Sequence, residues 1–304
     1  MFRTTAPVRR PRATADAPAA VPRVVRAARH TAAGPGVPYE PVGVREEFFR
    51  EMGAPYSVPF DPERYADGGR RTSVELANGA LDALGPLSAE ECPEVVVVAY
   101  ATPDFDHAEL VASCLKGRLP GEPLSFALSD QGVLAPFSAL RVAVEYARRC
   151  GFRRLLLMVV DQGTQPFTVP GREHDPVRAD TAVALLLEWD GGGGAVRGMA
   201  QGRPSDAVFA EWDRAAAVVA GAGLTAEAAG GRVELPSWEG ELTSAPPGQP
   251  CTGVWTALLG TAVAAPARGR HVVVADYDRE RDFLAYCTLD AGELGSDDGS
   301  GRGA

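Results

Sequence analysis

Residues 123–161 constrain the fold more than any other stretch. Ser125-Phe126-Ala127-Leu128 is short and mostly apolar, and Ser129-Asp130-Gln131-Gly132 is turn chemistry. Phe137, Leu140, Val144 and Ala147 then recur at helical spacing as far as Cys150-Gly151, where the chain turns into the apolar run Leu155–Val160. Strand, turn, helix and strand in that order predict a βαβ unit with a right-handed crossover. Nearly all-apolar strands are those covered on both faces of a sheet. Ligands of open α/β folds gather where strand ends meet helix starts. The turn at Asp130-Gln131-Gly132 is therefore the first place to look for chemistry.

Composition narrows the functional classes. The chain has 304 residues, enough for one large domain or two fused halves. A net charge of -10 argues against nucleic acid as the main partner, because phosphate binding needs a basic face. No apolar run approaches the length of a membrane span. The five cysteines form no CxxC pair and lie mostly in apolar contexts, which predicts reduced thiols in a cytoplasmic protein. The four histidines are scattered without zinc spacing, so neither a metal nor a resident cofactor is expected.

Taken in order, residues 1–36 are rich in Arg, Ala and Pro and are expected to form a disordered tail, with Val24-Val25 able to supply a first strand. Residues 37–190 are expected to form a first half. Within it, Val44–Met52 is a short helix, and Thr72 followed by Glu75 is a capping box that opens a helix ending before Gly85-Pro86. Val95–Tyr100 is a buried strand, His107–Lys116 a helix and Val183–Leu187 the last strand of this half. Gly191–Gly194 reads as a turn or hinge at a boundary. Residues 195–290 are expected to form a smaller second half. It has a helix over Ala207–Ala220, a strand near Val233–Leu235, a helix from Gly253 to about Val263, and strands at His271–Ala275 and Phe283–Leu289. Residues 291–304 are Gly, Ser and Asp-rich and are expected to be disordered.

Three stretches carry a resemblance. Val96–Asp104 resembles a strand ending in a Thr-Pro-Asp turn. Ser125–Val160 resembles a nucleophile strand, turn, helix and following strand, and Asp180-Thr181-Ala182-Val183-Ala184 resembles a Gly-Asp-Gly-Ala strand entrance. In this order they are similar to the thiolase-like superfamily, in its ketoacyl-acyl-carrier-protein synthase III branch. The resemblance covers roughly residues 70–190 well and 250–290 weakly. It implies an α-β-α-β-α layered fold of two related halves, with the second half reduced by one βα unit. It also implies a dimer formed through residues near 123–140, and acyl-carrier-protein or acyl-CoA thioesters as substrates.

Enzymes of that branch use a Cys at the start of a buried helix, where the helix dipole favours thiolate, with a His and an Asn from the second half. Here the nucleophile position falls on Gly132 counting forward from Phe126, and on Val133 counting back from Leu140. Gln131 is the nearby residue with a useful amide, and Asp130 reads as a helix cap that accepts backbone N–H bonds. The stretch expected to supply the His is Val233-Glu234-Leu235-Pro236-Ser237-Trp238, leaving Ser237 as its polar candidate. The Asn position falls near Pro250-Cys251, with Thr252 beside it. Cys251 precedes a helix start, where a thiol pKa is expected to fall, which makes it the candidate relocated nucleophile. The loss of the catalytic set implies a non-catalytic, chain-length-factor-like subunit in polyketide- or fatty-acid-type specialised metabolism. Such subunits pair with an active synthase, and often carry Gln in place of the Cys. The alternative is an acyltransferase acting through Cys251.

Overall fold

The computed structural model describes residues 21–34, 36, 40–102, 104–106, 109–167, 177–189, 194–204, 209, 212, 215–237, 239–260 and 271–290. The first half is built on β1 (Arg23–Thr31), β2 (Val95–Tyr100), β3 (Leu124–Leu128), β4 (Arg154–Asp161) and β5 (Thr181–Glu188). Strand β2 runs parallel to both β3 and β4, and β5 runs antiparallel to β4 and β1. The second half repeats this with β6 (Gly194–Gly202), β7 (Ala215–Ala220), β8 (Glu241–Ser244), β9 (His271–Asp278) and β10 (Phe283–Asp290). Here β7 runs parallel to β8 and β9, and β10 runs antiparallel to β9 and β6. The strand order β3-β2-β4-β5-β1-β6-β10-β9-β7-β8 puts β6 to β10 in the places of β1 to β5, about a twofold relation. The halves join where Arg23 faces Ala195 and Val24 faces Gly194.

Among the described residues the helices are α1 (Gly43–Gly53), α2 (Pro62–Asp67), α3 (Ser73–Leu84), α4 (Val111–Arg118), α5 (Ala135–Cys150), α6 (Ala222–Ala229) and α7 (Gly253–Gly260). Alternate strand residues face opposite ways, and that sorts them into layers. Val96, Val98, Leu156 and Met158 pack on Leu76, Leu81 and Leu115 of α3 and α4. Val95, Val97, Leu155 and Leu157 face a central layer made by α5 and α7. From the other side Val272 and Val274 face the same layer, while Val273, Ala275 and Tyr277 pack outward on Leu224 of α6. Helix, sheet, helix, sheet, helix is thus the stacking order, and the Phe137 and Trp255 rings meet 5.6 Å apart in its middle. The α1–α2 segment packs to one side through an aromatic cluster of Phe49, Tyr65 and Phe105.

Local signals explain several boundaries. Thr72 accepts from the Glu75 N–H at 3.1 Å and opens α3, while the Glu75 carboxylate is taken by Arg71. Helix α5 closes at Gly151, left-handed at φ 69, with its N–H bonded to the Ala147 carbonyl.

Four expectations need correction. First, the tail boundary at residue 36 moves back, because β1 begins at Arg23 and belongs to the first half. Its arginines obscure a strand that the fold accommodates: Arg26 donates to the Leu84 and Pro86 carbonyls and to Glu91. Residues 1–20 and 291–304, both expected to be disordered, lie outside the described residues. Second, the helix expected over Ala207–Ala220 is strand β7 from Ala215 onward. Alanine is the best intrinsic helix former, but propensity is a weak constraint, and a position between β8 and β9 in a buried sheet overrides it. Third, Val233–Leu235 is loop, and the short edge strand lies later, at Glu241–Ser244. Fourth, the described elements β7-α6-β8-α7-β9 match β2-α4-β3-α5-β4 one for one, so both βα units between β7 and β9 are present.

Candidate functional site

Two turns meet at the centre of the molecule, one from each half. The first joins β3 to α5 and begins with Asp130 left-handed at φ 63. Gly132 follows at φ 52 and opens a single 3-10 turn, Gly132–Leu134, that leads into α5. Left-handed backbone is cheap for glycine and costs an aspartate about 1 kcal/mol or more. The second turn, Pro250-Cys251-Thr252, leads into α7. The Cys251 Sγ lies 3.5 Å from the Gly132 carbonyl oxygen, so the two turns touch.

Each turn also holds an aspartate from the strand end of the opposite half. Asp161, the last residue of β4, is buried and accepts from Cys251 N–H at 3.1 Å and from Thr252 N–H and Oγ1–H at 2.7 Å each. Burial pushes its carboxyl up to about 6, and the Thr252 and Cys251 hydrogen bonds pull the other way. Asp278 ends β9 at the equivalent place and faces Gly132. It accepts from Arg281 N–H at 2.9 Å and from Arg281 Nη1 at 2.7 Å. Arg281 Nη2 in turn donates to the Asp130 carbonyl at 2.7 Å. A third buried acid, Asp276, accepts from Leu224 N–H at 3.3 Å at the start of α6, and its carboxylate fills the space beside Gly221.

The structure distributes the expected site residues unevenly. Gly132, Cys251 and Thr252 come together. Asp130 reaches them through its backbone, yet its side chain caps no helix: it accepts from the Ser129 hydroxyl at 2.8 Å, because the left-handed conformation turns it away from the helix start. Gln131 is half-buried and its amide caps neither the 3-10 turn nor α5. Val133 points into the core. Ser237 is exposed in the loop between α6 and β8. The lowered thiol pKa expected for Cys251 is reversed. Burial pushes this 0% exposed thiol well above its usual range, and Asp161 and Asp276 push the same way. A nearby helix start does not offset two carboxylates in a dry site.

Asp161, Asp276, Asp278 and Arg281 escaped the sequence reasoning. A signal was present: Val160-Asp161 and Tyr277-Asp278 each end an apolar strand in an acid, and a buried acid requires partners. A separate cleft of about 450 Å³, lined by His30, Arg71, Glu75 and Asn78, lies between β1 and α3 on the outer face. Among the described residues no group of His, Cys, Asp and Glu is arranged to hold a metal ion, and no helix is long and apolar enough to cross a membrane.

No protein-family profile matches the chain, and no curated protein sequence does. Solved structures match over nearly the whole fold. The tetronic acid condensing enzyme AbyA1 aligns over 88% of this chain and 99% of its own, with 18% identity and a TM-score of 0.57. The β-ketoacyl-acyl-carrier-protein synthase III of Thermus thermophilus aligns over 89% and 99%, with 15% identity and a TM-score of 0.56. The acyltransferase ChlB3 aligns over 88% and 97%, with 13% identity and a TM-score of 0.56. Together with the two repeated halves and the helix starts that meet between them, these matches establish that the chain has the thiolase-like fold of the ketoacyl synthase III enzymes.

Proposed function

We propose that this protein is a non-catalytic, chain-length-factor-like partner of an active ketoacyl synthase in polyketide- or fatty-acid-type biosynthesis. One observation carries the reading. The resemblance puts the nucleophile at Gly132 or Val133, and neither bears a thiol: Val133 packs in the core, and the space a side chain would enter at Gly132 is taken by Asp278. The neighbouring thiol, Cys251, is buried and held protonated. Thioester exchange needs a thiolate that substrate can reach, and neither position provides one. The acyl-carrier-protein or acyl-CoA thioester is then handled by the partner, and this chain contributes its surface.

Strand β3 is the surface best suited to that role. It ends the sheet, and an edge strand presents unpaired N–H and C=O groups to a second chain. Its side chains are only half-covered: Ala127 is exposed, and the Phe126 ring lies 5.9 Å from Tyr146, itself 45% exposed. Leu134 and Phe137 face the core and do not belong to this surface. Co-expression with an intact synthase encoded nearby tests the reading. The expected result is a stable heterodimer whose condensing activity depends on this chain and is lost with Ala127→Asp. Absence of any complex, with full activity of the synthase alone, contradicts it.

A second reading, an acyltransferase acting through Cys251, is favoured by the position of that sulfur where the two turns meet. It requires the isolated protein to turn over an acyl thioester, and Cys251→Ala to abolish that turnover.

A further inference from the structure

We propose that Asp278, locked by Arg281, bars a side chain from position 132, so that a cysteine restored there cannot be acylated while Asp278 remains. The inference deepens the non-catalytic reading and rests on it. A Cβ placed on Gly132 would lie 2.6 Å from Asp278 Oδ2 and 3.3 Å from Arg281 Nη1. The first distance is closer than a carbon and an oxygen can approach without something moving. Asp278 is poorly placed to move, being 6% exposed with one oxygen held by Arg281 N–H and the other by Arg281 Nη1. Arg281 also donates to the Asp130 carbonyl, so the pair is tied to the very turn it blocks. Rotating the carboxylate away breaks its hydrogen bonds to Arg281 and leaves the 6% exposed acid without them.

The counterpart in the other half shows that this is a distinct use of the position. Asp161 occupies the same place on β4, but it accepts hydrogen bonds from the opposing turn and supports it. Asp278 meets a glycine with its oxygen at the side-chain position. The bar is electrostatic as well as steric, because a carboxylate beside a thiol disfavours the thiolate. Restoring sulfur at position 132 is therefore insufficient while Asp278 remains. With both changes, the introduced thiol gives up its proton and its sulfur attacks the thioester carbonyl carbon. The bond from that carbon to the coenzyme A sulfur breaks, and coenzyme A leaves as the free thiol carrying the proton.

The test uses the full chain as Gly132→Cys, as Asp278→Gly and as the double variant, each incubated with acetyl-CoA and examined by intact mass and peptide mapping. The double variant is expected to carry the acetyl group at position 132, at least about tenfold more than Gly132→Cys alone, the thiolate population of one pKa unit. Equal acylation of Gly132→Cys and the double variant overturns the proposal and leaves the non-catalytic reading standing. No adduct on a folded double variant also overturns it. An adduct on the unsubstituted protein overturns the non-catalytic reading itself, and the proposal with it. Should a cysteine variant not fold, urea unfolding of Gly132→Ala in the natural and Asp278→Gly backgrounds decides the point. The stability lost to Gly132→Ala is expected to be smaller in the second background, where only the strain of the left-handed backbone remains, and equal losses overturn the proposal.

Discussion

Asp161 illustrates how one buried carboxylate ties two half-molecules together and what that costs. Its carboxyl is raised from 3.8 to about 6, so the folded chain holds this proton more tightly than the unfolded chain does. The sign follows directly: the stability linked to this group is fully present below about pH 4 and is lost as pH rises through about 6. Relative to Asp161→Asn, which does not titrate, the natural protein should gain up to about 3 kcal/mol between pH 7 and pH 4. Urea midpoints of both proteins across that range check this, and parallel pH profiles would contradict it. The partners explain why the role was illegible in the sequence. Thr252 and Cys251 lie far from Asp161 along the chain, and only the crossing of the two halves brings them within hydrogen-bonding distance. The environment of Cys251 is hidden for the same reason: the helix start is visible in sequence, whereas the two carboxylates around the thiol are not.

At the scale of elements, the helices of the central layer carry the packing and β3 carries the exposed edge. Phe137 and Trp255 belong to different halves and meet ring against ring, both nearly fully buried. Trp255→Ala should cost about 3–5 kcal/mol in urea unfolding, through lost burial and the cavity left behind. Tyr146→Ala, on the exposed side of α5, should stay within about 0.5 kcal/mol. A small loss at Trp255 would mean that the two halves are not packed through this layer. For the edge strand, Ala127→Asp should separate the proposed heterodimer with the synthase in analytical ultracentrifugation without moving the urea midpoint of this chain, since Ala127 lies outside the core. The unit from β3 to β4 was legible because its strands are apolar runs and its helix keeps strict spacing over Phe137, Leu140 and Val144. Strand β7 was not, because Ala215-Ala216-Ala217 before Val218-Val219 fits a helix as well as a strand, and only its sheet neighbours decide. Strand β1 was hidden by its arginines, of which Arg26 finds partners at Leu84, Pro86 and Glu91, at and beyond the end of α3.

For the whole molecule, the repeat of one half in the other explains both the fold and the meeting of the two turns at its centre. Each half contributes a strand-turn-helix unit to the centre, and each sends an aspartate from a strand end toward the turn of the other. In this chain that meeting point is filled by protein groups: Asp278 at Gly132, Asp276 at Gly221, and the buried sulfur of Cys251 between the turns. The layered architecture was legible from the order of apolar strands and helices. The filling of the centre was not, because a glycine in sequence does not reveal what occupies the space beside it. Whether the central site forms a covalent bond to an acyl group decides between a non-catalytic subunit and an acyltransferase. The most direct measurement is the intact mass of the purified protein after incubation with acyl-CoA and with acyl-loaded carrier protein. The account predicts an unchanged mass, and a stable acyl adduct at any residue from Ser129 to Pro136 or at Cys251 would contradict it.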